Sequence, residues 1–430
     1  GFRRMSWEDT SMPEAGILDA VIADRPVFLM DEELHMAWLN SRGLQECGID
    51  KNTEAPDGGI ICRDEKGDPT GVLLENAVAL AAKHAFEFDK KTVKKLIEGY
   101  IDKAVSLGIT SVSDMTPYLS LDLSFPEVYF EMVSNNELKI RVNAARNLFE
   151  DINTFNEIRQ KADLEGKGFY RVPYMKQFID GTPANFTGML LEDYSDNPGE
   201  KGKATIDLDK MAAAIETATE NNISVRLHSC GDRSCREAIN AYENALKKFP
   251  ETESRHMVEH LELVDPNDIP RFGQLGIICS IQPEHLAAGT MKWEENCYPE
   301  KLGPERERYT WPFKQLKDNG AVLVGGTDCP VVEGNLFWGM YAGNTRKYYD
   351  DIPEGGWNPQ EKLTMPEMID MFTSGAAYAE HRENELGTLE EDKLADITVV
   401  DRNLLELEEN PDIRDTKVLL TMVDGRVVYS

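Results

Sequence analysis

The sequence predicts an α/β fold built on a (β/α)8 TIM-type barrel. Between residues 109 and 327, short apolar segments of strand length alternate seven times with longer segments of helical periodicity. The 430 residues suffice for one large barrel with smaller added domains. With 41% hydrophobic and 29% charged residues, the chain can bury a sizeable core and is not disordered by composition.

The chain divides into four predicted segments that differ in residue pattern. In the second segment we expect a strand at 26–30, a helix across 31–47, and hairpins or loops over 52–71. The short β-rich runs of the last segment cannot be stable alone and must pair with other structure. In chain order, the segments are a polar leading segment at 1–26, an inserted α/β subdomain at 27–76, the barrel at 77–386, and the C-terminal part of a small β-sandwich domain at 387–430.

Seven strands are predicted for the barrel, one fewer than a closed (β/α)8 barrel needs. An amphipathic helix at 91–107 precedes the first of them and ends at Gly108, where a C-terminal glycine is expected. By position, the strand that the sequence lacks is the first strand of the barrel. The predicted strands are 109–115, 140–145, 172–179, 224–228, 257–261, 276–282 and 321–327.

Charge and cysteine usage exclude several classes of protein. The 46 basic and 77 acidic residues give a net charge of −31, which would repel phosphate backbones and anionic lipids, so we expect neither a nucleic-acid nor a membrane partner. The seven cysteines are scattered without a CxxC pair, as is typical of free thiols in a reducing compartment. No secretory leader is visible, and we expect a cytoplasmic protein.

Metal-ligating side chains fall at four predicted strand ends. Because the carboxyl ends of barrel strands converge on one face, Lys176, His228, His260 and Asp328 are expected to lie together. Two imidazoles, a carboxylate and a lysine would suit Zn²⁺ or a similar divalent ion. Each residue also has a structural alternative: the histidines as hydrogen-bonded core residues, Lys176 paired with Asp180, and Asp328 as the cap of the next turn.

Local motifs along the whole chain carry a family resemblance. The order lysine, histidine, histidine, aspartate on successive strand ends resembles the metal-dependent amidohydrolase superfamily. Further motifs are similar to its YtcJ-like, N-substituted formamide deformylase-like branch (amidohydrolase family 3). They are RPV at 25–27, LHMAWLNS at 34–41, PDGGI at 56–60, GVLLE at 71–75, Lys176 with Asp180 and Gly181, HSCGD at 228–232, Glu259 with His260, and GTLEEDKLAD at 387–396.

The resemblance implies roles for the four strand-end residues. Lys176 would be the strand-four lysine, which bridges two metals when carboxylated, and His228 and His260 would be metal ligands. Asp328 would be both a metal ligand and the catalytic proton shuttle. The implied cofactor is one or two divalent ions, with Zn²⁺ expected. The implied activity is hydrolysis of a C–N bond in an amide-like or cyclic amide small molecule by a metal-activated water.

One departure from the family bears on the metal site. The family places an HxH pair on the first barrel strand, and no two of the seven histidines are spaced by two. We expect that pair and the first strand to lie upstream of Gly1; a natural seven-stranded protein is the alternative. A catalytically inactive protein of this fold, which binds a small molecule or acts in regulation, is the alternative function.

Three further residues are candidates for supporting roles. His285, just past the seventh strand, and His35, in the inserted subdomain, are expected to contact substrate. Asp180 is expected to hold Lys176 in place from behind the site. The expected partner is a small-molecule substrate, and a homodimer remains open.

Overall fold

A parallel sheet of seven strands forms the centre of the molecule. The computed structural model describes residues 1–115, 121–287 and 291–430. The seven strands pair in chain order, each with its sequence neighbour, so the predicted succession of parallel strands is confirmed. Two smaller antiparallel sheets precede and follow it. The strands are β1 Phe28–Met30, β2 Met36–Leu39, β3 Gly59–Arg63 and β4 Pro69–Glu75, then β5 Ser111–Asp114, β6 Arg141–Asn147, β7 Tyr170–Phe178, β8 Ser224–Ser229, β9 Met257–His260, β10 Ile278–Ile281 and β11 Leu323–Gly325 in the parallel sheet, and finally β12 Ile397–Val400, β13 Val418–Val423 and β14 Arg426–Tyr429.

Helices separate the parallel strands, and side-chain caps fix where several of them begin. Asp89 accepts a hydrogen bond from the backbone of Thr92 at the start of α4, and Asp151 and Asp207 cap α6 and α7 in the same way. In the described parts of the chain, no helix is long and apolar enough to cross a lipid bilayer. The helices are α1 Ala15–Asp19, α2 Ser41–Glu46, α3 Ala79–Ala85, α4 Lys90–Ser106, α5 Pro126–Ser134, α6 Ile152–Glu165, α7 Leu208–Glu220, α8 Asp232–Lys248, α9 Ile269–Leu275, α10 Tyr298–Glu307, α11 Phe313–Asp318, α12 Leu336–Thr345, α13 Met365–Phe372 and α14 Ser374–Ala379.

The parallel sheet curls toward a barrel. Oε1 of Glu380 accepts hydrogen bonds from Ser113 on β5, at 2.7 Å, and from Arg226 on β8. In a flat sheet, strands three places apart would be separated by about 14 Å, a gap that the curl of the sheet narrows. The curl therefore gives the sheet an inner face, and in the described residues β5 and β11 remain its two edges.

The first antiparallel sheet has the order β1-β2-β4-β3 and carries the short helix α2. The predicted helix across 31–47 is wrong for residues 36–39, which form β2 and pair with β4. All four residues of β2 are buried. A strand buried on both faces shows a continuous apolar run, which periodicity cannot distinguish from a buried helix.

The last antiparallel sheet, β12-β13-β14, packs against the barrel as its short strands require. The hydroxyl of Thr421 donates to the carbonyl of Val105, and that of Thr398 donates to the carbonyl of Gly108, both at 2.7 Å. These contacts fasten the sheet to the C-terminal end of α4. The buried side chains of Arg141, at the start of β6, and Asp396 form a second attachment.

Candidate functional site

A cleft that is partly open to solvent lies at the carboxyl ends of the parallel strands. His228 is the penultimate residue of β8, His260 ends β9, and Asp328 follows β11. The convergence that the sequence predicted for these three residues is therefore present. The predicted site residues that line the cleft are His35, His228, His260, His285 and Asp328.

His260, His285 and Asp328 form a potential metal-binding triad. One ligand atom from each residue lies within 4.8 Å of the other two. The Nε2 of His285 is 3.8 Å from the carboxylate of Asp328 and has no hydrogen-bond partner in the described part of the structure, although it is buried. Two imidazoles and a carboxylate are a common donor set for divalent transition metals, so these residues fit such an ion.

The backbone at two of these residues has an uncommon conformation. His260 and Asp328 have φ values of 74° and 57°, in the left-handed region that residues other than glycine seldom adopt. Such conformations persist only where the surrounding structure holds them, and they are concentrated at functional sites. Here they turn the chain sharply at the ends of β9 and β11, where both side chains face the cleft.

His228 lies beside the triad. Its ring centroid is 4.3 Å from that of His260 and 4.9 Å from that of His35. Burial, reinforced by neighbouring positive charges, holds the pKa of His228 well below its usual value, and burial lowers the pKa of His260 to about 3. Both rings are therefore neutral near pH 7, which is the form of imidazole that binds a metal.

Lys176 lies below the cleft and is not among the residues that line it. Its ammonium group forms a buried ion pair with Glu259 and lies 4.8 Å from the ring centroid of Phe178. An ammonium has three donors and no lone pair, so in this pair Lys176 cannot ligate a metal. Its metal role therefore remains a prediction that requires carboxylation.

Asp180 joins the loop after β7 to the start of α8. Its carboxylate accepts hydrogen bonds from the backbone of Met189, Cys230 and Gly231 and from the hydroxyl of Ser234, at 2.7–3.1 Å. Its nearest described contact to the candidate site is His228, at 3.9 Å. These bonds hold the two loops that border the cleft. Asp180 was expected to hold Lys176, but the described ion pair of Lys176 is with Glu259, and Asp180 supports His228 and its neighbours instead.

The first antiparallel sheet covers one side of the cleft. His35 shares a buried hydrogen bond of 2.7 Å with Glu75. Although burial opposes it, Glu75, with Asp31 and Glu33, raises the pKa of His35 to about 9, so this ring is a paired cation at neutral pH. His35 is thus ion-paired with Glu75, and its ring lies next to that of His228.

Several residues of the cleft were not found from the sequence. Glu262 lies two residues after His260, and it accepts a hydrogen bond from the hydroxyl of Tyr298. Burial raises the pKa of Glu262 to about 8. Its position in the same strand-end motif as His260 was a usable signal. No sequence signal locates Tyr298, which begins α10, or Tyr348, which follows α12, because tertiary packing brings them to the cleft.

Curated relatives match nearly the whole chain. Protein LONG AFTER FAR-RED 3 of Arabidopsis thaliana is 28% identical over 97% of this chain and 71% of its own. Putative amidohydrolase YtcJ of Bacillus subtilis is 27% identical over 96% of this chain and 75% of its own. N-substituted formamide deformylase of Arthrobacter pascens is 24% identical over the same shares. The branch that the motifs indicated is therefore confirmed.

Solved structures agree on the fold. A metal-dependent hydrolase of uncharacterised function from Pyrococcus horikoshii superposes with a TM-score of 0.70 at 23% identity, covering 93% of this chain and 76% of its own. This likeness, with the curled parallel sheet, confirms a TIM-like α/β fold. The family model described as "Amidohydrolase family" matches residues 1–429. The chain therefore belongs to the amidohydrolase family of hydrolases.

Proposed function

We propose that this protein is a metal-dependent hydrolase that cleaves a C–N bond in an amide-like or cyclic amide small molecule. The observation that carries the proposal is the triad of His260, His285 and Asp328, whose ligand atoms lie within 4.8 Å of one another on the cleft. The name of the deformylase relative, which specifies N-substituted formamides, supports an amide-type bond.

The triad would hold a divalent ion, with His228 as an adjacent further ligand. Zn²⁺ suits neutral imidazoles combined with a carboxylate. An ion bound there would act as a Lewis acid toward a carbonyl group and would make a water more acidic. The buried, unpartnered Nε2 of His285 supports this location, since a buried polar atom without a partner is otherwise costly.

Asp328 is the residue best placed to move a proton. Its side chain is 38% exposed and so can reach both solvent and substrate, whereas His260 is buried and the side chain of His285 is 9% exposed. Its carboxylate would accept a proton from the attacking water and deliver it to the leaving nitrogen. His285, 3.8 Å away, would fix the orientation of that carboxylate.

Metal analysis of the full-length protein, in parallel with hydrolysis assays on formamides, linear amides and cyclic amides, tests this proposal. We expect His260→Ala and His285→Ala each to lose bound ion and activity. Asp328→Asn should lower kcat by about 10²–10⁴-fold, the range of general acid–base catalysis. The exposed Asp163→Asn is the matched control and should retain full activity. Unchanged metal content in both histidine variants would overturn the proposed centre.

A catalytically inactive binding protein is the second candidate. The observation that favours it is the ion pair between Lys176 and Glu259, which occupies a lysine that a two-metal hydrolase would use as a carboxylated bridge. A metal-replete preparation that binds a small molecule but hydrolyses none of the amide panel would support this candidate.

A further inference from the structure

Carboxyl groups are frequent among the described residues that line the cleft. Among the described lining residues, four are acidic and none is lysine or arginine. The acidic residues are Glu32, Glu33, Glu262 and Asp328. The His35 cation also lines the cleft, so a preference for a cationic ligand depends on an individual carboxylate rather than on the net charge of the cleft.

Glu33 is the acidic residue that the hairpin between β1 and β2 brings to the cleft. The turn is closed by hydrogen bonds in both directions between Asp31 and Met36, and Leu34 within it has a φ of 63°. This sharp turn sets Glu33 against the loop that follows β7. There Thr182 donates to Oε2 of Glu33 at 2.7 Å, and Asn185 donates to the same oxygen at 3.3 Å.

The charge of Glu33 is not neutralised by these contacts, because both donors are uncharged. Of the nearby cations, Arg3 pairs with Glu32 and His35 pairs with Glu75. Arg4 donates to Oδ1 of Asn185 at 3.3 Å and to the carbonyl of Ala184 at 3.4 Å. Burial raises the pKa of Asp31 to about 7, and repulsion by Glu33 adds to that shift.

A second, independent observation also indicates a ligand. Tyr348 lines the cleft and is fully buried, yet its hydroxyl has no hydrogen-bond partner in the described part of the structure. Its ring packs at 5.3 Å against Trp293, and Tyr298 lines the cleft nearby. Aromatic faces attract cations, and a free phenolic oxygen accepts hydrogen bonds from ammonium or guanidinium groups.

We propose that the cleft selects substrates that carry an ammonium or guanidinium group, and that the carboxylate of Glu33 binds this group. The inference rests on the proposed function and names the substrate class of the same site. A charge-assisted hydrogen bond to Glu33, in place of its present neutral contacts, would favour a cationic substrate over a neutral analogue of the same shape by about tenfold.

Binding of two small probes to the full-length protein tests the proposal without turnover. Benzylammonium and benzyl alcohol have nearly the same shape and differ in charge. Calorimetric titration should show benzylammonium binding about tenfold more tightly, with the preference decreasing between about 0.05 and 0.5 M salt because screening weakens the ion pair. Equal affinities, or a preference that salt does not change, would overturn the proposal.

The variant Glu33→Gln assigns the preference to one residue. Glutamine keeps the oxygen that accepts from Thr182 and Asn185 but removes the charge, so the preference for benzylammonium should fall about tenfold. Glu54→Gln, an exposed change in the same subdomain, should leave it intact. A preference retained in Glu33→Gln would overturn the role of this residue. If that variant does not fold, as judged by thermal unfolding, the proposal is tested by the salt dependence of the wild-type preference for benzylammonium over benzyl alcohol.

Kinetics then separate this proposal from the proposed function. Matched amides with and without an aminomethyl group should differ about tenfold in kcat/KM, and Glu33→Gln should remove the difference. Hydrolysis of both amides at equal kcat/KM would refute the cation selectivity and leave the hydrolase intact. Selective binding of benzylammonium with no hydrolysis of any amide would support the cation site and refute the hydrolase.

Discussion

Replacing Asp396 by asparagine should destabilise the fold without impairing the cleft. Asp396 receives two hydrogen bonds from the guanidinium of Arg141, at 2.8 and 2.9 Å, and the two side chains are only 5% and 3% exposed. The variant leaves the buried Arg141 charge with the carbonyl of Gly168 and the half-exposed Asp424, each at 3.4 Å. Removing one partner of a buried ion pair costs about 3–5 kcal/mol, because the remaining charge stays desolvated.

Retention of Asp424 and of one amide oxygen places the expected loss near the lower limit, about 3 kcal/mol. For 430 residues the unfolding entropy is about 0.9 kcal/mol per kelvin, so Tm should fall by about 3 °C. Scanning calorimetry measures this shift. Activity per folded molecule should be unchanged, since the pair lies at the start of β6, at the opposite end of the strands from the cleft.

Asp102→Asn provides the matched control. It breaks an ion pair of 2.6 Å with Lys139 by the same chemical change, but those side chains are 65% and 47% exposed. Exposed pairs contribute about 0–1 kcal/mol, so Tm should change by about 1 °C or less. Equal Tm shifts in the two variants would refute the argument that burial makes the Arg141 pair important.

Three further outcomes are expected. Gly181→Ala should lower Tm by several degrees, because its Cβ would lie 1.9 Å from Oε1 of Glu75; an unchanged Tm would contradict this close approach. Although burial opposes it, Glu75 raises the pKa of His35 from 6.5 to about 9, so the stabilisation by this pair is complete below pH 6.5 and is lost, by about 3 kcal/mol, as the pH rises through 9. Unfolding free energies of the wild type and His35→Gln should therefore converge at high pH, with exposed His84→Gln as control; a difference independent of pH would contradict the assignment. Removing bound metal with a chelator should lower Tm by about 3 °C, as expected for an ion present at about 100 times its Kd, and re-addition should restore it; a Tm insensitive to both would argue against the centre.

The sequence predicted the parallel sheet because each strand and helix has a local pattern. Strand-end positions then placed His228, His260 and Asp328 on one face without knowledge of any contact. The helix expected across 31–47 failed at Trp38 and its neighbours, because burial on both faces of β2 removes the alternation that identifies a strand.

The remaining parts of the site depend on tertiary structure. The approach of His285 to Asp328 is set by the loops after β10 and β11, whose course no periodicity records. The pairing of Lys176 with Glu259 joins β7 to β9 across the inner face of the curled sheet. Glu33 reaches Thr182 across a separation of 149 residues, since a different sheet carries it over the barrel.

The cleft is built from two sheets that do not share a strand. Its potential metal-binding triad comes from the barrel, whereas the turn at residues 31–34 belongs to a hairpin of the first antiparallel sheet. Substitutions in the turn can therefore change the side chains that line the cleft while the triad from the barrel keeps its position. A mutant library restricted to Glu32, Glu33 and Leu34 would vary the substrates that the cleft accepts and leave the side chains contributed by the barrel unchanged.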